Sequence, residues 1–326
     1  MNKNEQLKVL YNAVLINQIT KGNSLNKIYE VAVDDTHYIL RTSEYSEKKK
    51  NHVDFELNWM NYLSTEINEI VKPIPSLKDN LYEVVDNEYI FCLLEKAEGN
   101  PIEFNESLFF DIGSILGNMH RLTKEYSGNV VQPKFEWYNG WTTWPEYNII
   151  IDEEIQLYIN QFKRELFSLP KANDNYGIIH EDVHPGNFFV KNGKIKLFDF
   201  DDCQFNWYIC DIATSLYQIV QHKLPYYLTN TNERNEFAEF FLKPFFKGYF
   251  EANDLDKYQF SKSNLLSKIN LFINYRIATA YQFVQNINIE NPNFDFLNWV
   301  KETLKSDTPF ISIDYYKVII SNIQNS

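Results

Sequence analysis

The first third of the chain alternates short apolar runs with polar turns, a pattern typical of β-strands. One stretch departs from it, because Phe55, Trp59 and Leu63 recur at helical spacing. The polar residues at 34–36 separate two of the apolar runs by the length of a hairpin turn. We predict a small antiparallel lobe of five strands and one helix over residues 1–95. The strands are expected at residues 15–20, 28–33, 37–42, 81–85 and 88–94.

The pattern changes at residues 96–101, where Gly99 and Pro101 interrupt the chain. We predict an interlobe linker here, followed by a mainly helical lobe over 102–326. One β-hairpin is expected within this helical part, around the turn signal Asn192-Gly193. Its strands are predicted at 188–190 and 194–198, and apolar residues at helical spacing predict helices at 107–121, 153–167, 237–250 and 265–284.

Composition and charge exclude several classes of protein. With 44% hydrophobic residues among 326, the chain can bury a sizeable core. Its 44 acidic and 31 basic residues leave a net charge of −13, which disfavours nucleic acid as a partner. Cys92, Cys203 and Cys210 fit neither a disulfide framework nor a zinc motif. Because no signal-like or membrane-spanning run is recognisable, we expect a cytoplasmic protein that does not bind a membrane.

The residues that carry chemistry lie between positions 178 and 202. Asp182 lies in a polar loop, Asn187 follows where a strand begins, and Asp199 follows the second strand of the hairpin. Carboxylate and amide oxygens are ligands that Mg²⁺ takes, with its other positions left to water and phosphates. We therefore predict that Asn187 and Asp199 hold Mg²⁺, while Asp182 accepts a hydroxyl proton. These are the parts that phosphoryl transfer requires.

The segment 180–187, HEDVHPGN, resembles the HGDxHPGN loop of the aminoglycoside phosphotransferase and choline kinase superfamily. Further similarities to that family lie at 95–99, 116–122, 199–202 and 211–213. The resemblance implies an α+β, two-lobed protein-kinase-like fold with the nucleotide between the lobes. It also implies a small-molecule kinase, which moves the γ-phosphoryl group of ATP, with Mg²⁺, to a hydroxyl of an acceptor bound by the helical lobe.

The same resemblance implies phosphate-binding residues in the strand-rich lobe. The loop 21–26 would cover the phosphates, with Gly22 and Ser24 as nucleotide-binding residues. Arg41 would contact the α- and β-phosphates, and Glu56 would orient Arg41. Arginine here departs from the usual lysine, and a planar guanidinium is not interchangeable with an ammonium group.

Three further residues take their expected roles from the family alone. The adenine ring would lie against the backbone carbonyl of Glu95 and the backbone amide of Ala97. Asp211 would brace the catalytic loop through backbone hydrogen bonds, as a structural residue.

Other functions stay open at this point. His180 and His184 around Asp182 also fit a zinc-dependent hydrolase, although no second cluster of histidines or cysteines accompanies them. Arg41 and the glycine-poor loop also fit a non-catalytic kinase-like protein that binds a nucleotide or a partner. A protein Ser/Thr kinase of the bacterial stress-response type is a further alternative.

The acceptor is not specified by any motif. Amino alcohols, hydroxy amino acids, sugars and aminoglycosides are all compatible with the family, and we favour a metabolite or amino alcohol over an antibiotic. The aromatic cluster of Trp137, Trp141 and Trp144 fits an acceptor pocket, and it fits core packing equally well.

Overall fold

The structure is a computed structural model. It describes residues 3–19, 26–99, 102–128, 135–139, 151–224, 230–253, 265–287, 293–306, 308–314 and 318. The chain divides into two compact units that are interleaved in sequence. Unit 1 comprises Met1–Pro101, Tyr126–Lys134 and Phe188–Asp201. Unit 2 comprises Ile102–Glu125, Phe135–Asn187 and Asp202–Ser326. The lobe limits expected from the sequence stay a prediction.

Unit 1 is built on an antiparallel sheet of six strands. Its strands are β1 (Val14–Gln18), β2 (Asn26–Val33), β3 (Thr36–Glu44), β4 (Pro73–Ile74), β5 (Glu83–Val85) and β6 (Tyr89–Glu95). They pair in the order β1-β2-β3-β6-β4, and β5 also pairs with β6. The sequence predicted only five of these six strands. Strand β4 was missed because it has two residues and begins with a proline, which is too short a run to show alternation.

Two helices complete the fold around this sheet. Helix α1 (Lys3–Tyr11) was not predicted, since its nine residues give too few turns for a clear period. Its Leu7 and Tyr11 pack into the same apolar cluster as Val31 of the sheet. Ser46 caps the N-terminus of helix α2 (Glu47–Glu66), and its side chain accepts a hydrogen bond from the backbone N–H of Lys49. The helix predicted around Trp59 is confirmed.

The predicted Asn-Gly hairpin is confirmed as β8 (Phe188–Lys191) and β9 (Lys194–Leu197). Asn192 and Gly193 both have positive φ, 53° and 74°, as a two-residue hairpin turn requires. The hairpin is fixed to unit 1 by backbone hydrogen bonds at Leu197. The N–H of Val71 donates to Leu197 O at 3.0 Å, and the N–H of Leu197 donates to Glu69 O at 2.7 Å. The residues that follow β9 are thereby positioned in unit 1.

Unit 2 is mainly helical. Its described helices are α3 (Glu106–Glu125), α4 (Glu153–Phe167), α5 (Tyr208–Lys223), α6 (Thr231–Ala252), α7 (Leu265–Ile287) and α8 (Phe294–Ser306). The four helices predicted in this part are confirmed as α3, α4, α6 and α7. Helices α3 and α6 approach each other closely at Gly113, where an added Cβ would collide with the backbone of Phe245. None of the described helices combines the length and apolar character that crossing a bilayer requires.

Unit 2 contains a pair of short strands of its own, β7 (Tyr176–Ile179) and β10 (Gln204–Trp207). The expectation of a single β interruption was therefore wrong. The two strands pair antiparallel, with Ile179 opposite Gln204. Each has only four residues, and the partner of each lies beyond the whole hairpin, so no local pattern indicated them. This pair sets the start of the loop that carries the candidate catalytic residues.

Candidate active site

The loop after β7 is fixed by one buried carboxylate, that of Asp211 on α5. Its Oδ2 accepts the N–H of His180 at 3.0 Å, and its Oδ1 accepts the N–H of Glu181 at 2.6 Å. Asp211 Oδ2 also lies 3.1 Å from Nε2 of His120. Burial lowers the pKa of His120, against the opposing effect of that hydrogen bond. Asp211 thus makes the backbone hydrogen bonds that the resemblance implied.

His180 is part of the interior of unit 2. It is completely buried, and its Nδ1 accepts the N–H of Asp182 at 3.3 Å. A zinc ligand would need that nitrogen or its ring edge open to a metal. No group of three or more His, Cys, Asp or Glu residues in the described part of the chain is arranged to hold a metal ion. The described residues therefore give the zinc-hydrolase alternative no support.

The carboxylate of Asp182 has hydrogen-bond donors on both sides. Its Oδ2 lies 3.1 Å from His184 Nε2 and accepts Asn187 Nδ2 at 3.0 Å. Its Oδ1 accepts Arg276 Nη2 at 2.7 Å and Gln218 Nε2 at 3.4 Å. Burial alone would raise the pKa of Asp182, but the hydrogen bond from His184 and the charge of Arg276 hold it well below its ordinary value. Asp182 is therefore a carboxylate at neutral pH.

Asn187 is oriented in a way that suits a metal ligand. Its Nδ2 donates to the backbone oxygen of Asp182 at 2.9 Å and to the carboxylate of Asp182 at 3.0 Å. Both amide hydrogens are used in this way, and the amide oxygen is the atom left to bind a cation. Amide oxygens are ordinary Mg²⁺ ligands. The side chain thus fits the role predicted for it.

Asp199 lies in unit 1, two residues from a second acidic residue, Asp201. Burial and the neighbouring Asp201 carboxylate raise the pKa of Asp199 above its ordinary value, against the opposing charge of Arg41. Asp201 itself is held by Asn26, whose Nδ2 donates to Asp201 Oδ2 at 2.8 Å. Two neighbouring carboxyl groups are electrostatically unfavourable unless a cation offsets their charge. The pair of Asp199 and Asp201 therefore fits a divalent metal.

Arg41 and Glu56 form a buried ion pair in unit 1. Arg41 lies on β3 and Glu56 on α2, and their side chains are only 3% and 1% exposed. Nη1 donates to Oε1 at 2.7 Å and Nη2 donates to Oε2 at 2.6 Å. This two-point geometry is specific to a guanidinium, and an ammonium group could make only one of the two bonds in the same way. The structure thus brings together the pair that the resemblance predicted.

Breaking this ion pair is expected to destabilise the protein. Arg41→Met leaves the Glu56 carboxylate buried without its partner, and we expect a loss of about 3–5 kcal/mol in the free energy of unfolding. Arg41→Lys keeps the charge and is expected to lose less. Urea unfolding followed by circular dichroism measures both. An Arg41→Met variant as stable as the unsubstituted protein would contradict this account of the pair.

The other predicted nucleotide-binding residues are placed as follows. Glu95 is the last residue of β6, and its Oε2 accepts Lys196 Nζ at 2.8 Å. Ala97 follows two residues later, outside any regular element, and is half-buried. Gly22 and Ser24 lie outside the described residues, and their assignment stays a prediction.

The aromatic cluster is described at only one of its three tryptophans. Trp137 is buried, and its ring lies 5.7 Å from the rings of both Trp207 and Tyr275. Its described surroundings are those of a packed core side chain in unit 2. Trp141 and Trp144 lie outside the described residues.

Two residues that contact Asp182, Gln218 and Arg276, were not predicted from the sequence. Gln218 lies 36 residues and Arg276 lies 94 residues from Asp182 along the chain. Gln218 lies beyond the family-like segment 211–213 of its helix, and the helix of Arg276 carries no recognisable motif, so no sequence signal pointed to either. The backbone of Glu181 was also not predicted. Its φ is 74°, and it occupies the motif position where the family has glycine. A positive φ at a residue with a side chain costs about 1–3 kcal/mol and marks functional sites.

Comparison with protein families and curated proteins gives two matches that bear on function. The sequence profile of the phosphotransferase enzyme family (APH) matches residues 16–260. The amicoumacin kinase of Bacillus subtilis (strain 168) is 33% identical over 244 residues, which cover 71% of this chain and 70% of that protein.

Solved structures extend the similarity to nearly the whole chain. An amicoumacin kinase, in complex with AMP-PNP, Ca²⁺ and Ami, has a TM-score of 0.80 at 25% identity and covers 96% of this chain and 95% of its own. A microcompartment-associated aminopropanol kinase has a TM-score of 0.67 at 18% identity, covering 93% and 97% of the two chains. These similarities confirm the predicted α+β fold of the protein-kinase-like type.

Proposed function

Since the chain belongs to the phosphotransferase enzyme family, we propose that it is a kinase that phosphorylates a hydroxyl group of amicoumacin or of a closely similar molecule. The predicted enzyme class, a small-molecule kinase with an alcohol group as acceptor, is confirmed by that membership. ATP and a divalent metal are likewise confirmed as cofactors, because the similar amicoumacin kinase was solved with AMP-PNP and Ca²⁺. The acceptor is the part that is proposed.

One observation carries this choice of acceptor. The identity of 33% to an amicoumacin kinase extends over 244 residues, well beyond the short motifs that all members of the family share. The TM-score of 0.80 to a solved amicoumacin kinase points in the same direction. We therefore propose amicoumacin or a closely similar molecule in place of the metabolite or simple amino alcohol that the sequence alone favoured.

In the proposed reaction, the Asp182 carboxylate binds the hydroxyl group of the acceptor. A hydroxyl oxygen attacks the γ-phosphorus, the bond from that phosphorus to the β–γ bridging oxygen breaks, and ADP leaves with that oxygen. The hydroxyl proton passes to the Asp182 carboxylate. Because its partners keep this carboxylate ionised, and because a carboxylate with a lowered pKa is a weak base, its main contribution is to orient the hydroxyl.

The residues predicted from the sequence are also the ones we propose for binding the metal and the nucleotide. Asn187 and Asp199 would hold Mg²⁺, which when bound neutralises the phosphate charge. Asn187 supports this role because its Nδ2 is turned to Asp182, which leaves the amide oxygen for a cation, and Asp199 supports it through its carboxyl group beside Asp201. The remaining nucleotide contacts are proposed for Gly22, Ser24, Arg41, Glu56, Glu95 and Ala97.

The experiment that tests this function is ADP release by the purified protein with Mg²⁺ and ATP. Amicoumacin is compared with an amino alcohol, an aminoglycoside, a hydroxy amino acid and a sugar, and the phosphorylated product is identified by mass spectrometry. We expect release to be stimulated by amicoumacin and lost in Asp182→Ala. Stimulation by another acceptor only would overturn the acceptor, and no stimulation by any of them would favour the non-catalytic alternative.

A further inference from the structure

The carboxylate of Asp182 has no vacant hydrogen-bonding position in this structure. Each carboxylate oxygen has two lone pairs. Those of Oδ2 face His184 and Asn187, and those of Oδ1 face Arg276 and Gln218. The donors on Oδ2 come from the loop itself, whereas the donors on Oδ1 come from α7 and α5. An acceptor hydroxyl that binds Asp182 therefore competes with these four donors.

The hydrogen bonds of His184 define which of its ring nitrogens donates to Asp182. His184 Nδ1 accepts the N–H of Gly186 at 2.9 Å, so its Nε2 is the nitrogen that carries hydrogen and donates to Asp182. Arg276 makes the shortest of the four bonds, at 2.7 Å, and it is charged. Gln218 makes the longest, at 3.4 Å, and it is neutral. Gln218 is thus the donor that is replaced at the lowest cost.

Arg276 contacts the loop at a second point. Its Nη1 donates to the backbone oxygen of Glu181 at 3.2 Å and lies 3.5 Å from Glu181 Oε1. One planar guanidinium therefore holds both the loop backbone and the neighbouring carboxylate. The two ends of its fork set the direction of the Asp182 carboxylate relative to the backbone.

Glu181 is itself anchored. Its Oε2 accepts Asn206 Nδ2 at 3.2 Å, and Cys210 Sγ lies 3.4 Å from the same oxygen. The strained φ of 74° is kept at a position where glycine would avoid the strain. A glycine there would keep only the backbone contact with Arg276 and would lose the contact through Glu181 Oε1. The departure from the family motif and the contact with Arg276 are therefore parts of one arrangement.

We propose that Arg276 is the positioning residue of Asp182, that Glu181 anchors Arg276 for this purpose, and that the acceptor hydroxyl replaces the Gln218 amide at Oδ1. This inference rests on the proposed phosphotransfer. It assigns α7 and α5 a direct part in orienting the group that receives the acceptor.

Arg276→Met is expected to lower kcat by about 100-fold, the scale on which a misplaced catalytic group loses rate, while the KM for ATP stays unchanged. Arg276→Lys should recover only part of this loss, because an ammonium group cannot hold both points at once. Gln218→Ala should instead lower the KM for the acceptor, since the competing amide is gone. Arg164→Met, at an exposed position of α4, is the matched control and should behave as the unsubstituted protein.

A merely structural role is separated by two further measurements. Glu181→Gln combined with Arg276→Met should lower kcat no further than Arg276→Met alone, because Glu181 acts through Arg276. Added methylguanidinium should restore part of the kcat that Arg276→Ala loses, which a misfolded protein would not show.

The assay uses amicoumacin and ATP, with calorimetry of AMP-PNP binding as the test of folding. An unchanged kcat in Arg276→Met, or an equal loss of kcat and AMP-PNP binding, would overturn the proposal. If Arg276→Met does not fold, the test rests on Arg276→Lys. A kcat of Arg276→Lys equal to that of the unsubstituted protein would rule out the two-point role of Arg276. Absence of turnover by the unsubstituted protein would overturn the proposed function, and this inference with it.

Discussion

Asp182→Asn is expected to lower kcat by about 10²–10⁴-fold, because the carboxylate both orients the acceptor hydroxyl and takes its proton. Asparagine has nearly the same shape as aspartate but no charge. Both carboxylate oxygens of Asp182 accept hydrogen bonds, so the NH₂ group of an asparagine would face hydrogen-bond donors in either orientation of the amide. The hydroxyl then loses both its charged partner and its orientation. Turnover is measured as ADP release with the acceptor, and the affinity for AMP-PNP, measured by calorimetry, is expected to persist.

The matched control for this variant is Asp295→Asn, which removes one carboxylate from an exposed position of α8. It should leave kcat and AMP-PNP affinity unchanged. Near-normal turnover in Asp182→Asn would remove Asp182 from the reaction. A parallel loss of AMP-PNP binding would show that the substitution had damaged the nucleotide site.

Asp199→Asn is expected to abolish the metal dependence of nucleotide binding. The substitution removes the charged ligand of the proposed Mg²⁺ site, whereas asparagine tolerates the positive φ of 65° at this position, which alanine does not. The affinity for ATP, measured by calorimetry with Mg²⁺ and with chelator, should become the same in both conditions. An Mg²⁺-dependent affinity equal to that of the unsubstituted protein would exclude Asp199 as the ligand.

The same variant should be more stable without metal. A carboxyl group whose pKa is raised on folding costs stability at every pH above its ordinary value, because the folded state then disfavours the charge that the unfolded state carries. Asparagine removes that cost. We expect the metal-free variant to unfold at a higher temperature than the unsubstituted protein at pH 8, with the difference shrinking as the pH falls toward the ordinary value of 3.8.

Asp34→Asn is the matched control for both effects. Asp34 also has a positive φ, 50°, and it lies exposed in the β2–β3 turn, which holds none of the predicted site residues. It should change neither the metal dependence nor the unfolding temperature. A rise in stability in Asp34→Asn equal to that in Asp199→Asn would assign the effect to the backbone conformation.

Local patterns predicted the elements whose stabilising contacts are close in sequence. The Asn192-Gly193 hairpin and α4 were predicted at or within a residue of their bounds, because turn chemistry and helical period act over a few residues. The strands β7 and β10 were missed, because each is held by a partner more than twenty residues away. The ion pair of Arg41 with Glu56 was expected only because the family has one in the same place.

The candidate catalytic residues could be found from the sequence alone, because Asp182, Asn187, the hairpin and Asp199 follow one another over residues 182–199. The surroundings of Asp182 could not be found in this way, because Arg276 comes from a helix 94 residues away whose own sequence carries no sign of its partner. The raised pKa of Asp199 could not be found from the sequence either, since it depends on desolvation and on the charges that the fold brings around this carboxyl group.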